Sequence, residues 1–405
     1  MTVIQNAQLV AAGQVRRCDV AVEKGVVREI ACAGTLRGNC TVNAEGLYLS
    51  HGFVDAHVHG GGGCDFMDGT EEAWRTAAHL HLTHGTTCMV PTTLASTKEE
   101  LLRAFSIYQR CKNAPGFPGA KLLGLHIEGP YLAPGQSGAQ DPAYLRAPDP
   151  AEYRELLDAC PDILRWTIAP ELPGALEMGD ELAQRGVTPC MGHSNADEEQ
   201  VRAALLHGYR VVTHLYSAMS TIVRRQGFRC AGIVECAYLY RDLTSEIIAD
   251  GCHLPASLLQ LAYRQIGPER LCLITDAMRA AGQTGGESVL GSLERGQRVI
   301  LEDGVAKMPD RQAFAGSICT ADRLVRNMVK LAGASLPDAV RMMTETPART
   351  LGLSHQTGTV AVGRAADLVL FNEDIQIQMA MVDGEIRYRS EGLSVSERGI
   401  NDEDV

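Results

Sequence analysis

Gly52-Phe53-Val54-Asp55-Ala56-His57-Val58-His59, running into Gly60-Gly61-Gly62-Gly63, is the stretch whose reading decides the fold. Side chains alternate along an extended strand, so Asp55, His57 and His59 fall on one face with the two imidazoles one pleat apart, a spacing suited to gripping a metal ion. The glycines cannot sustain a strand but let backbone come close to a ligand. The pair is therefore expected at the open C-terminal end of a strand, beside a cavity. An isolated His-x-His also fits two partly buried structural histidines, and residues further along the chain decide between the two.

From Phe53 onward, short apolar runs alternate with helical segments of ten to fifteen residues, the pattern of repeated βα units. Candidate strands end at His59, Pro91, Glu128, Glu171, His193, His214, Asp250 and Asp276. Amphipathic helices are expected between them, for example from Glu71 to His84, Glu99 to Cys111 and Asp197 to His207. Eight such strands predict an α/β fold, a (β/α)8 TIM-like barrel, over residues 51–350. Residues 1–50 instead read as short β-prone pieces with turns such as Glu23-Lys24-Gly25, and β character returns after Thr350. The two ends, 1–50 and 351–392, are assigned to one composite β-sandwich domain, and 393–405 to an acidic C-terminal tail.

The chain has 405 residues, enough for a barrel plus a small satellite domain. With 37 Lys and Arg against 49 Asp and Glu, the net charge is −12, and no basic run is present, which excludes nucleic-acid backbone binding as the main business. An acidic protein that handles a small anion needs a local cluster of cations, and Arg224-Arg225 is a candidate. The thirteen cysteines show no Cys-x-x-Cys pair and fit free thiols in a reducing compartment. No leader-like start and no membrane-length apolar run is seen, so a cytoplasmic protein is expected.

What stands at the strand ends carries the chemistry. A barrel gathers the C-terminal ends of its strands at one mouth, so His57/His59, Glu128, Glu171, His193, His214 and Asp276 are expected to converge there. Two imidazoles and a carboxylate suit Zn²⁺ or a similar divalent ion with a position left open for water. Asp276, in Thr275-Asp276-Ala277, is then free to act as a general base.

Taken together, Phe53-Val54-Asp55-Ala56-His57-Val58-His59-Gly60, Gly124-Leu125-His126-Ile127-Glu128-Gly129-Pro130, Gly192-His193-Ser194, Thr213-His214-Leu215, Ile248-Ala249-Asp250-Gly251-Cys252-His253 and Thr275-Asp276-Ala277 resemble the N-acetylglucosamine-6-phosphate deacetylases of the amidohydrolase superfamily, in order and over nearly the whole chain. The resemblance implies the barrel with a β-sandwich built from both termini, and a metal-dependent hydrolase that removes acetate from N-acetylglucosamine 6-phosphate. It implies Glu128, His193 and His214 as primary metal ligands, Asp276 as catalytic acid and base, and His57 and His59 as a second-metal pair found in some members. The metal is expected to be Zn, with Fe, Mn or Co as alternatives, at one or two per chain.

Substrate contacts implied by the same resemblance are Ala139, Gln140, Ser217, Ala218, Arg225, His253, Phe314 and Ala315, with Arg225 reaching a neighbouring subunit's site in a homodimer. Two positions depart from the family. Ser217 stands where Asn is common, and Gln140 where a His commonly helps to polarise the acetyl carbonyl, a task for which Gln offers an amide but no imidazolium.

Other residues have plainer readings. His79, His81 and His84 fall on a helix outside the barrel, and His126 is expected to pack beneath the metal rather than to ligate it. Glu171 is read as a hydrogen-bond partner or an ion pair at the mouth, and Cys64 as a packed thiol. Two further functions stay open: a deacetylase of another N-acetylhexosamine phosphate, and a non-catalytic barrel scaffold.

Overall fold

The computed structural model describes residues 1–397. All eight expected barrel strands are present and parallel: Phe53–Val58, Thr86–Thr93, Leu125–Glu128, Ile163–Ile168, Thr188–Met191, Val211–Val212, Thr244–Ile247 and Leu271–Leu273. The ring closes between its last and first members, where Asp276 N–H donates to His57 O at 2.9 Å and His59 N–H to Ala277 O at 2.8 Å. Several strands end earlier than expected. The fourth stops at Ile168, so Glu171 lies in the turn beyond it, where it accepts from Ser194 Oγ and Asn195 N–H, each at 2.6 Å.

The helices begin where side chains can take up free N–H groups. Thr70, Thr97 and Asp197 cap helices Glu71–Thr83, Lys98–Lys112 and Glu198–Leu206, close to the bounds expected. Their apolar faces pack on the outward residues of the strands, among them Trp74, Tyr108, Trp166 and Leu273. The barrel interior is filled at its floor by Val54, Ala56, Cys88, Val90, Ile248, Cys272 and Ile274. Above them a fully buried ion pair, Arg165–Glu246, spans the lumen, reaching Ala56 O at 3.3 Å and His57 Nδ1 at 3.6 Å.

Two additions sit outside the repeat. A hairpin, Val223–Arg225 with Phe228–Cys230, follows the sixth strand. A three-stranded antiparallel sheet, Gly286–Leu290, Gln297–Glu302 and Val305–Lys307, follows the eighth. Neither was foreseen, because short antiparallel pieces carry too little periodicity to stand out among the βα units.

Strands from both termini hydrogen-bond into one nine-stranded sheet. Tyr48–His51 from the N-terminal segment lies between Thr2–Ala11 and Leu368–Phe371, and the sheet's core includes Ile4, Leu9, Val20, Leu49, Leu368 and Met381. The first residues expected to be tail differ from that reading: Leu393 is buried in this core and Val395–Glu397 pairs with Cys40–Asn43. The remainder of the expected tail, 398–405, lies outside the described residues.

Polar side chains weld this sheet to the barrel floor. Lys121 Nζ donates to Asp367 at 2.8 Å, and Asp367, 1% exposed, also accepts Asp383 N–H at 2.9 Å. His51, which carried no pattern in the sequence, accepts Gly358 N–H at 3.1 Å through Nε2. Asp367→Ala leaves the Lys121 ammonium half-partnered beside a buried face, and should cost about 3 kcal/mol, the low end for breaking a buried pair because Lys121 retains Asp383. The urea midpoint followed by circular dichroism reads this directly; an unchanged midpoint would show that the two units are held by apolar contact alone.

Candidate active site

The site is built from strand ends. His193, His214 and Asp276 each lie just beyond a barrel strand with positive φ, at 48°, 34° and 46°. Non-glycine residues adopt this region rarely and at a cost of order 1–3 kcal/mol each, so three together mark a place where the fold enforces a geometry. The enforcement is visible in the backbone: Leu215 N–H donates to Glu246 O at 2.7 Å and Ser317 N–H to Asp276 O at 2.8 Å, fixing the turns that aim His214 and Asp276 inward.

Two donor clusters result, and they share Glu128. In one, His214 Nε2 lies 3.0 Å from Glu128 Oε1 and 3.1 Å from His193 Nε2. In the other, His57 and His59 bring their Nε2 atoms to 3.2 Å from each other, with His59 Nε2 3.4 Å from Glu128 Oε2. Asp276 Oδ1 stands 3.4 Å from His57 Nε2 and 3.2 Å from His59 Nε2. All six residues are buried.

The surroundings set tautomers and charge. His193 Nδ1–H donates to Gln136 O at 2.8 Å, which leaves its Nε2 lone pair facing the cluster. Burial alone would lower the pKa of His59, but Asp276 and Glu128 more than offset this and hold it at about 10. The same opposition, with Glu128 and Asp276 against burial, places His57 at about 9. Glu128 is held well below the usual carboxylate range, because His57, His193 and His214 outweigh the burial that would raise it. His126 is pushed the other way by burial, Arg165 and His57, and stays neutral beneath the site, its Nε2 2.7 Å from Thr167 Oγ1 and its ring edge-on to His57 at 4.5 Å.

The donor set fits a divalent cation. Glu128 faces all four imidazoles within 3.5 Å, and once the imidazoles give up the protons on these nitrogens a dication would satisfy them and the carboxylate together. Glu128, His193 and His214 form one nitrogen and oxygen set, and His57, His59 and Glu128 a second.

A cavity of roughly 410 Å³ opens above them. Of the expected contacts, Ala139, Gln140, Ser217, Ala218, His253 and Phe314 line it. His253 is held from behind by Asp250, whose carboxylate lies 2.8 Å from Nδ1. Ala315 is buried beneath Phe314, with its N–H on Ala306 O, and does not line the cavity. Arg225 is not brought to the site of its own chain; it sits 58% exposed on the hairpin and pairs with Asp197. No Lys or Arg lines the cavity among the described residues.

Other sequence readings change. Asp55 does not join the histidine pair: the register slips between Asp55 and Val58, and its carboxylate accepts from the Thr275 hydroxyl and N–H. The glycine run approaches protein rather than ligand, since a Cβ on Gly60 would meet Cys64 O at 2.2 Å and one on Gly61 would meet Leu80 and His81. His81, on its helix, is buried and sits 2.9 Å from Gly60 O. Gln136, Tyr216 and Gln312, on irregular segments that carry no period, also line the cavity and were not foreseen, nor was Leu290 at the end of the inserted strand Gly286–Leu290. Glu246 and Arg165, at and just before the start of predicted strands, lie inside the observed ones, Thr244–Ile247 and Ile163–Ile168.

Because Glu128 serves both clusters, Glu128→Ala protein reloaded with zinc should hold neither ion, whereas His193→Ala and His57→Ala should each lose one; elemental analysis decides, and a fully loaded Glu128→Ala chain would refute the shared-ligand arrangement. Ligation also requires neutral imidazoles. Raised His pKa values stabilise the metal-free fold below the ordinary value of 6.5 and lose that effect as pH rises through about 9 and 10. Affinity at the His57, His59 pair should therefore strengthen with rising pH over that window, with protons released on loading, which calorimetry in buffers of different ionisation enthalpy measures.

Comparison with known proteins bears on this geometry. The Amidohydrolase family matches residues 48–387. An N-acetylglucosamine-6-phosphate deacetylase of Vibrio furnissii is 32% identical over 385 residues, covering 94% of each chain. An N-acetylgalactosamine-6-phosphate deacetylase of Escherichia coli O157:H7 is 33% identical over 340 residues, covering 84% of this chain and 87% of that one. A solved structure of a mutant N-acetyl-D-glucosamine-6-phosphate deacetylase from Mycobacterium smegmatis, in complex with N-acetyl-D-glucosamine-6-phosphate, superposes with a TM-score of 0.87 at 32% identity, covering 95% of this chain and 99% of that one. With this barrel and these strand-end clusters, the chain belongs to the amidohydrolase family, and within it to the N-acetylglucosamine-6-phosphate deacetylases.

Proposed function

We propose that the chain hydrolyses the acetamide of N-acetylglucosamine 6-phosphate, giving glucosamine 6-phosphate and acetate. The observation that carries this is the convergence of Glu128, His193, His214 and Asp276 at the floor of one cavity, three of them held at strained φ. A scaffold would have no use for so costly a buried cluster.

Glu128, His193 and His214 would hold a divalent ion, which we take to be zinc, with Fe, Mn or Co as alternatives and His57 and His59 supplying a second place. Such an ion supplies Lewis acidity toward the acetyl carbonyl and lowers the pKa of water. The chain's own groups do the rest. Asp276, held below the usual carboxylate range by His57 and His59 although burial opposes it, is ionised and can accept the proton of the attacking water. It then returns that proton to the leaving nitrogen, which could not depart as an amide anion. The walls formed by Phe314, Ala139 and Tyr216 position the sugar and limit water around it.

Among the described residues the cavity offers the phosphate no Lys or Arg. We assign the phosphate to His253 in the cavity wall and to Arg225 of a second copy, in a homodimer. The hairpin that carries Arg225 projects with Phe228 77% exposed, as an arm seated on another subunit would. The free cysteines fit a cytoplasmic setting, and among the described residues no helix is long and apolar enough to cross a membrane.

Asp276→Asn preserves shape and removes the base, so kcat should fall by about a hundredfold or more while the metal stays bound. Near-native turnover would move the proton transfers to another residue. Arg225→Ala should raise KM for the 6-phosphate and leave the unphosphorylated sugar nearly unaffected, with equal loss on both marking a structural arginine. The same assay run on N-acetylgalactosamine 6-phosphate decides between the two hexosamines.

A further inference from the structure

Gln140 is 5% exposed and both ends of its amide are engaged. Oε1 accepts Ala95 N–H at 2.8 Å, and Nε2 donates to Glu128 Oε2 at 2.6 Å. The orientation is fixed by these neighbours. Turning the amide over would set an NH2 against an N–H and a carbonyl against a carboxylate.

The oxygen it grips is not arbitrary. Glu128 Oε1 is the atom nearest His193 and His214, whereas Oε2 is the atom 3.4 Å from His59 Nε2. Oε1 also lies 3.5 Å from His57 Nε2, so the rotation that turns Oε2 to His59 while keeping Oε1 on His193 and His214 has to be held for Glu128 to serve both clusters. Gln140 supplies the charge-assisted bond that stops the rotation. The loop that carries it is itself anchored at three points: Gln136 O takes the His193 Nδ1–H, Gln140 N–H donates to Ser137 O at 2.9 Å, and Gln297 Nε2 from the inserted sheet donates to Ala139 O at 2.6 Å. One short segment thus orients a ligand from each of two different strands.

We infer that Gln140 is a positioning residue that locks Glu128 as the bridge between the two donor clusters, and so sets whether the chain holds a second metal ion. The inference rests on the metal-dependent reading above. It gives Gln140 a task different from polarising the substrate carbonyl. The amide is spent on the protein, and the carbonyl must be polarised by other groups.

The test uses the full chain, stripped with a chelator and titrated with zinc against a chromophoric competitor. Gln140→Met keeps the volume and removes both hydrogen bonds; Gln140→Glu keeps the acceptor for Ala95 N–H but faces Glu128 with a carboxylate in place of the donor. Native protein should take two ions per chain. Both variants should bind the ion at the His57, His59 side about tenfold to hundredfold more weakly, the usual effect of losing an outer partner, with KM at saturating zinc changed by less than about twofold. Unchanged zinc binding in both variants with a raised KM would overturn the inference and make Gln140 a substrate contact. Loss in Gln140→Met alone would overturn it in favour of loop anchoring, and a native chain with a single ion would overturn it outright. Failure of the underlying reading looks different: native protein that neither binds zinc nor releases acetate.

Discussion

Everything in this molecule depends on keeping a dense set of charges and lone pairs dry. Glu128 and Asp276 stand among His57, His59, His193 and His214 with all six buried, an arrangement whose desolvation penalty reaches several kcal/mol per ion before any attraction is counted. It survives because the penalty is met at short range, with contacts of 3.0 to 3.5 Å between imidazole nitrogen and carboxylate oxygen. It survives also because the backbone around it cannot relax. The barrel's role is to make relaxation impossible: residues from several different strands meet at one mouth, and moving any of them would break a ladder somewhere else.

The charged layer continues downward. Beneath His57 the Arg165–Glu246 pair occupies space that barrel interiors usually fill with branched aliphatics, and among the described residues Arg165 Nε and Nη2 find no hydrogen-bond partner. A buried ion pair is weak evidence for stability, since apolar replacements are often neutral or better. Its placement argues for a different role. Glu246 turns one oxygen to Arg165 and the other toward His57 Nδ1 at 3.6 Å, too far for a hydrogen bond, so the pair sets a negative charge beside the ring whose other nitrogen faces Glu128. His126, packed edge-on to the same ring and pushed toward neutrality, adds shape without adding charge. The histidine pair is therefore supported from below by charge and packing, while Glu128 and His193 are supported from above by a loop.

This division explains what could be read from the sequence. The order of strands and helices was legible because apolar runs and amphipathic stretches leave a local mark, although most strands stop one to three residues before the His, Glu or Asp expected to end them. The gathering of Glu128, His193, His214, His57 and His59 was legible with them, since barrel topology alone converts position at a strand end into proximity. Asp55 was misplaced because period two assumes an unbroken strand, and the slip between Asp55 and Val58 spends that carboxylate on Thr275. The glycines misled for a related reason. A close approach was correctly implied, but Cys64, Leu80 and His81 are what approaches. Loop residues such as Gln136 and the inserted sheet at 286–307 left no periodic trace, because their positions are fixed by contacts distant in sequence, such as Gln297 on Ala139 O.

The same division separates chemistry from recognition. The charged and imidazole groups of the two clusters sit on strands or immediately beyond them, where a displacement would disturb the whole ring. Residues that line the cavity above them, such as Ala139, Ser217, Ala218, Phe314 and Gln312, sit on loops, where substitution costs the barrel little. Relatives of similar identity that act on glucosamine and galactosamine derivatives are what such a layout permits, since the two sugars differ in the orientation of one hydroxyl and a change in one wall residue can decide between them. The negative overall charge fits this picture. Among the described residues no Lys or Arg lines the cavity, and Arg225, 58% exposed on its hairpin and paired with Asp197, is the cation that the proposed homodimer would bring to it.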